Sequence, residues 1–156
     1  LKCRDDEDHV WRFGGKPISH TDLVSHMREI FGDDEVSPHK FRHARGTALA
    51  LRLREKTWPF AGKQLGLDYS KAEVVSYFQK TMLEVGALLG HFNGGEVTWR
   101  TAVINYVDPE VAIDFLYDAG VNPQVELAGV IAEKTMTDIL DAKRQDDSEN
   151  DDQLDG

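Results

Sequence analysis

Residues 37–51 read SPHKFRHARGTALAL, a stretch that opens a helix and aims its tip at an anion. Ser37 ahead of Pro38 is a helix start. The hydroxyl can accept a free backbone N–H, and proline at the first helical position sacrifices no hydrogen bond. The helix is expected to run to about Lys56. His39 and Arg42 are three residues apart and so share a face near its beginning. The free N–H groups and partial positive charge of a helix N-terminus favour a phosphate there. Arg42 can grip two phosphate oxygens with its planar fork, and His39 can exchange a proton near neutral pH. The plainer structural reading pairs Arg42 with a nearby carboxylate and leaves His39 on the surface. His39 and His43 also have the i, i+4 spacing of a zinc helix, but Lys40 stands where that motif has glutamate, so neither metal nor cofactor is expected.

Upstream, Val10, Trp11 and Phe13 suit an extended strand, and Gly14 and Gly15 before Lys16 and Pro17 suit a turn. Thr21 is the expected cap of a helix whose apolar positions are Leu23, Met27, Ile30 and Phe31, with Gly32 as its end. Downstream, Trp58, Pro59, Gly62 and Gly66 form a break. Ser70 and Glu73 then make a capping box before the periodic run Val74, Val75, Phe78, Met82, Val85 and Leu89, which ends near Gly90. Asp108-Pro109 starts a helix closing with Gly120, and Asn122-Pro123 starts another running to about Leu140. The expected fold is mainly α with a small N-terminal β element, an α+β arrangement.

The 156 residues are 40% hydrophobic, enough for one globular unit over residues 1–140, with 141–156 as an acidic, disordered tail. Position 1 is Leu, and no basic stretch followed by an apolar run opens the chain, so a fragment without signal peptide is expected. No run approaches the roughly 18 apolar residues of a membrane span, and the lone Cys3 has no intrachain partner. These features point to a reducing, cytoplasmic setting and no membrane partner. A net charge of −10 looks wrong for a protein that binds nucleic acid, yet its distribution is uneven. Residues 141–156 hold seven acids against Lys143 and Arg144. Residues 39–63 carry Lys40, Arg42, Arg45, Arg52, Arg54, Lys56 and Lys63 against Glu55 alone. Such a basic stretch is either a solvated helix face or an anion-binding surface.

Two further segments carry candidate chemistry. Leu88-Leu89-Gly90-His91 ends an apolar helix at glycine and delivers a histidine, which by itself reads as a helix C-cap. Asn105-Tyr106-Val107-Asp108 presents a phenol. With a pKa near ~10, a phenol attacks at neutral pH only if a base takes its proton or cations stabilise it. Tyr69, Tyr77 and Tyr117 read as packing or surface groups.

Together these segments resemble the tyrosine recombinase, or phage integrase, family. Pro38, His39, Arg42 and His43 match its H-x-x-R box, Leu89-Gly90-His91 its L-G-H box, and Tyr106 its nucleophile. WRFGGKPISHTDLVSHMREIF, residues 11–31, is similar to the segment preceding the first box, so the likeness covers about residues 10 to 110. The resemblance implies the C-terminal part of a catalytic domain for site-specific DNA recombination or integration through a phosphotyrosine intermediate. His39, Arg42, His91 and Tyr106 would be catalytic, with His91 donating to a non-bridging phosphate oxygen. Lys40, His43, Arg45 and Arg52 would contact double-stranded DNA. Self-association on DNA, a nucleoid-associated location and a mobile-element origin would follow.

The spacing departs from the family pattern. From Arg42 to His91 is 49 positions and from His91 to Tyr106 is 15, both long for the family. A second alignment places Leu67 in the second box and Tyr77 as nucleophile. The first catalytic arginine and the strand-turn lysine, expected upstream of residue 10, are not identifiable, so the chain alone is expected to be inactive. The competing readings are a non-catalytic helical interaction module with acidic ends and a decayed mobile-element remnant.

Overall fold

The computed structural model describes residues 12–13, 15–56, 68–90 and 98–152, with side chains described over 15–56, 68–90 and 98–145. The described residues are mainly helical and divide into two compact units, Leu1–Phe41 and Arg42–Gly156. The calls on Val10, Trp11, Gly14, Trp58, Pro59, Gly62, Lys63, Gly66, Leu67 and His91 lie outside the described residues.

In the first unit, β1 (Arg12–Phe13) pairs antiparallel with β2 (Lys16–Pro17), with Phe13 opposite Lys16. Gly15 between them has φ 81°, the left-handed region open to glycine. Lys16 and Pro17, expected in the turn, therefore form the second strand. Helix α1 (His20–Phe31) starts two residues earlier than the Thr21 cap suggests. Ser19 is the cap, because Asp22 three residues on completes a reciprocal box with it. Those hydrogen bonds hold the Asp22 carboxyl below the usual carboxylate range. Gly32, at φ 62°, ends the helix as expected. Phe31 and Phe41 stack at 5.3 Å, and Lys40 Nζ meets Glu35 Oε2 at 2.6 Å.

Helix α2 (Pro38–Lys56) has the boundaries its sequence predicts and carries the chain from the first unit into the second. The second unit continues with α3 (Lys71–Leu88), α4 (Trp99–Tyr106), α5 (Pro109–Tyr117), α6 (Pro123–Glu126) and α7 (Glu133–Asp152). Its core is built on the periodic face of α3. Val74, Phe78, Met82 and Val85 are buried against Ala102 and Val103 of α4 and Ala112, Ile113, Phe115 and Leu116 of α5. Phe78 sits edge-on to both Trp99 and Phe115, at 5.7 and 5.3 Å. Full burial of each large side chain here stabilises the fold by about 1.5–3 kcal/mol. Thr81, the buried polar residue of α3, donates to the Tyr77 carbonyl and so costs little.

The expected single helix from Asn122 to Leu140 is instead two. Asn122 caps one turn, and the chain breaks at residues 127–132, where Gly129 adopts φ 71° and Ala128 bridges Ile131. Gly129 is the sequence feature that ends α6. Helix α7 in turn runs past residue 141 to Asp152, through the stretch where composition suggested disorder. No Gly or Pro interrupts residues 130–152, and Asp141 pairs with Arg144 one turn along. Among the described residues no helix is long and apolar enough to cross a membrane.

Two contacts fix α2 on the second unit. Gly46 is buried, and a Cβ at that position would overlap the carbonyl oxygen and Cβ of Tyr106. One turn-position on, Thr47 Oγ1 accepts from the Asp108 N–H at 2.9 Å. Gly46→Ala therefore forces two backbones apart. It is expected to destabilise the protein by about 2 kcal/mol or more in urea titration, at the upper part of the usual overpacking range; a change within experimental error would refute the seam.

Helices α5 and α7 are joined by Lys143 Nζ and Asp114 Oδ1 at 2.8 Å. Burial works against the lysine's charge, but the hydrogen bond and the carboxylates of Asp114, Asp118 and Glu110 outweigh it, and its pKa is raised. A raised lysine pKa stabilises the fold fully below the ordinary lysine value and ceases to do so as pH climbs through the folded value. The urea midpoint should therefore fall more steeply in that alkaline window for the wild type than for Lys143→Met. Parallel profiles would exclude this ion pair as a contributor.

Candidate functional site

The site forms where α2 crosses the ends of α3 and α4. Helix α3 ends at Leu88 with Leu89 as its cap, and Gly90 takes φ 69°. Its last carbonyls need donors, and the negative end of its dipole favours a cation. Arg42 supplies both. Its Nη2 donates to the Leu89 carbonyl at 2.9 Å, and its guanidinium carbon lies 5.5 Å from the centre of the Tyr106 ring. One side chain thus joins three segments far apart in sequence, the start of α2, the end of α3 and the end of α4. The plainer sequence reading, in which Arg42 pairs with a carboxylate, is replaced by a carbonyl and a ring face.

Tyr106 is the last residue of α4 and is only 6% exposed, among the core side chains. Arg42 itself is exposed, so its guanidinium closes the Tyr106 ring off at the surface. Its position follows from the seam: Gly46 lets the α2 backbone approach Tyr106 closely, which places Arg42, one turn earlier, beside the same ring. His43 is half-buried on α2. Arg45 and Arg52 are exposed. His39 and Lys40 belong to the first unit and are exposed in the first turn of α2, and Lys40 is already paired with Glu35. Tyr77, the alternative nucleophile, lies within α3 with Lys80 Nζ 5.7 Å from its ring centre.

Among the described residues no three His, Cys, Asp or Glu side chains are grouped as a metal would need. What the second unit does provide is a guanidinium over the ring of a buried tyrosine, beside the C-terminal end of a helix. An arginine in that position can exchange a carbonyl for a phosphate oxygen without changing partner chemistry, since both are oxygen acceptors. The Gly46 and Thr47 seam was not identified from sequence. Its signal was Gly46 inside an otherwise regular helix, a position that costs roughly 0.5–1 kcal/mol unless another backbone comes close.

No protein-family model, curated protein or solved structure matches the chain.

Arg42→Gln removes both the charged donor and the stacked plane. Because the side chain is exposed, a loss of about 1 kcal/mol is expected in urea titration, together with altered tyrosine fluorescence. Arg42→Lys should restore little of either, for an ammonium has no planar fork. Full recovery with lysine would show that charge alone matters.

Proposed function

We propose that this chain is the C-terminal part of a tyrosine recombinase catalytic domain, breaking and rejoining DNA through a phosphotyrosine bond at Tyr106. One observation carries the reading: Arg42 contacts both the Leu89 carbonyl, immediately before Gly90 and His91, and the Tyr106 ring. Three segments singled out separately in the sequence share one guanidinium, which supports the reading.

In this reading the scissile phosphate replaces the Leu89 carbonyl as the acceptor for Arg42, and Tyr106 leaves its buried position as the cation is drawn away. The Tyr106 oxygen attacks phosphorus, its proton passes to a base, and the 5′ oxygen departs. Arg42 stabilises the charge that builds on the non-bridging oxygens, where a preorganised donor has most effect. Attack by the 5′-hydroxyl of another strand reverses the step and releases Tyr106. The departing oxygen needs a proton, and neither Arg42 nor Tyr106 is given that role in this reading.

A second reading is favoured by the burial of Tyr106. There the chain is a non-catalytic helical module, Tyr106 is a core residue, and Arg42 is a helix cap. The two separate on a substrate that needs no acid. A pool of nicked duplexes with sulfur at the 5′-bridging position presents a leaving thiolate, which departs unprotonated near neutral pH. The recombinase reading predicts a covalent protein–DNA adduct on a denaturing gel, absent in Tyr106→Phe and reduced about 10²-fold or more in Arg42→Gln. An adduct that persists in Tyr106→Phe, or none with the wild type, supports the module instead.

A further inference from the structure

The cations of α2 are not equivalent. Lys40 pairs with Glu35, Arg54 with Asp118, and Arg42 is engaged by the Leu89 carbonyl and Tyr106. Arg45, Arg52 and Lys56 remain exposed, and no carboxylate among the described residues pairs with them, although the chain holds 28 acids against 18 bases. At about 100° per residue, Arg52 and Lys56 project within roughly 20° of Arg45 around the helix. Arg42 lies about 60° to one side, at the border with the buried face formed by Gly46 and Ala50. On the opposite flank, with Ala44, Ala48, Leu51 and Glu55, the cation is Lys40, which is paired with Glu35. Arg52 and Lys56, as like charges at i, i+4, weaken the helix slightly. A row that repels itself, flanks the candidate site and meets no carboxylate among the described residues is arranged for an outside anion.

We infer that Arg45, Arg52 and Lys56 form a track for the phosphate backbone of double-stranded DNA, leading away from Arg42 toward the C-terminal end of α2. The inference deepens the recombinase reading and assumes its substrate. Arg45 to Lys56 spans about 16 Å of helix, comparable to five phosphates of one strand along the duplex axis. The row is a straight array of cations without aromatic side chains interleaved, so it recognises charge spacing and not base identity. Lys56 joins the set, and Lys40 and Arg54, held by carboxylates, are excluded from it.

The test is binding, not chemistry. Fluorescence anisotropy with a labelled random-sequence duplex, from roughly 50 to 200 mM salt, yields the slope of log affinity against log salt. The triple variant R45Q/R52Q/K56Q should lose about tenfold or more in affinity and reduce the slope by about 2 to 3, near 0.9 per phosphate contact. Glutamine keeps helix propensity, and circular dichroism checks that α2 is intact. The variant K71Q/K80Q/R100Q removes the same charge from exposed positions elsewhere and should leave the slope nearly unchanged. Equal losses in both variants, an unchanged slope in the first, or no salt-dependent binding by the wild type would overturn the track. These results are independent of adduct formation, so a track that stands while Tyr106→Phe still forms adduct removes the nucleophile and keeps the surface.

Discussion

The second unit turns on a single cation that serves two masters. Arg42 satisfies a carbonyl at the end of α3 and covers the ring of Tyr106 at the end of α4. Neither contact is large alone, since the guanidinium is exposed and its interactions are screened by water. What holds α2 in place is apolar burial at Ala50 and the close approach at Gly46, reinforced by Thr47 receiving the Asp108 N–H. The energetic order matters for function. A residue that carried the packing would be locked, whereas a modest, exposed contact can be traded for a phosphate at little cost to the fold. Glycine at position 46 makes this possible, for any side chain there would lift Arg42 away from the ring.

The helical plan was legible because it is written in local chemistry. Pro38, Pro109 and Pro123 mark three starts, and Ser70 with Glu73 marks a fourth, their reciprocal hydrogen bonds holding the Glu73 carboxyl below its usual range. The departures are also local. The reciprocal box between Ser19 and Asp22 sets the start of α1 ahead of Thr21, and the apolar pattern on both sides of Gly129 hides the turn there.

The site was legible to a different degree. Motif reading named Arg42, the Leu89-Gly90 helix end and Tyr106 from separate segments, and these are adjacent in the second unit. It did not foresee that Tyr106 is buried, because the periodicity of an eight-residue helix leaves the inward side of its last residue undetermined. Nor did it separate engaged cations from free ones. Lys40 and Arg54 look like their neighbours in the string, and only their partners Glu35 and Asp118, brought close by a turn and by the packing of α2 on the second unit, distinguish them.

The account stands on Tyr106 and Arg42 acting on one phosphodiester. It is tested most directly by locating the covalent bond itself. Protein captured on the sulfur-bridged duplex, digested with nuclease and trypsin, should yield a single phosphodeoxynucleotide-bearing peptide by tandem mass spectrometry, modified at Tyr106. Modification at Tyr77, Tyr69 or Tyr117 would contradict the account and, for Tyr77, would transfer the chemistry to the middle of α3.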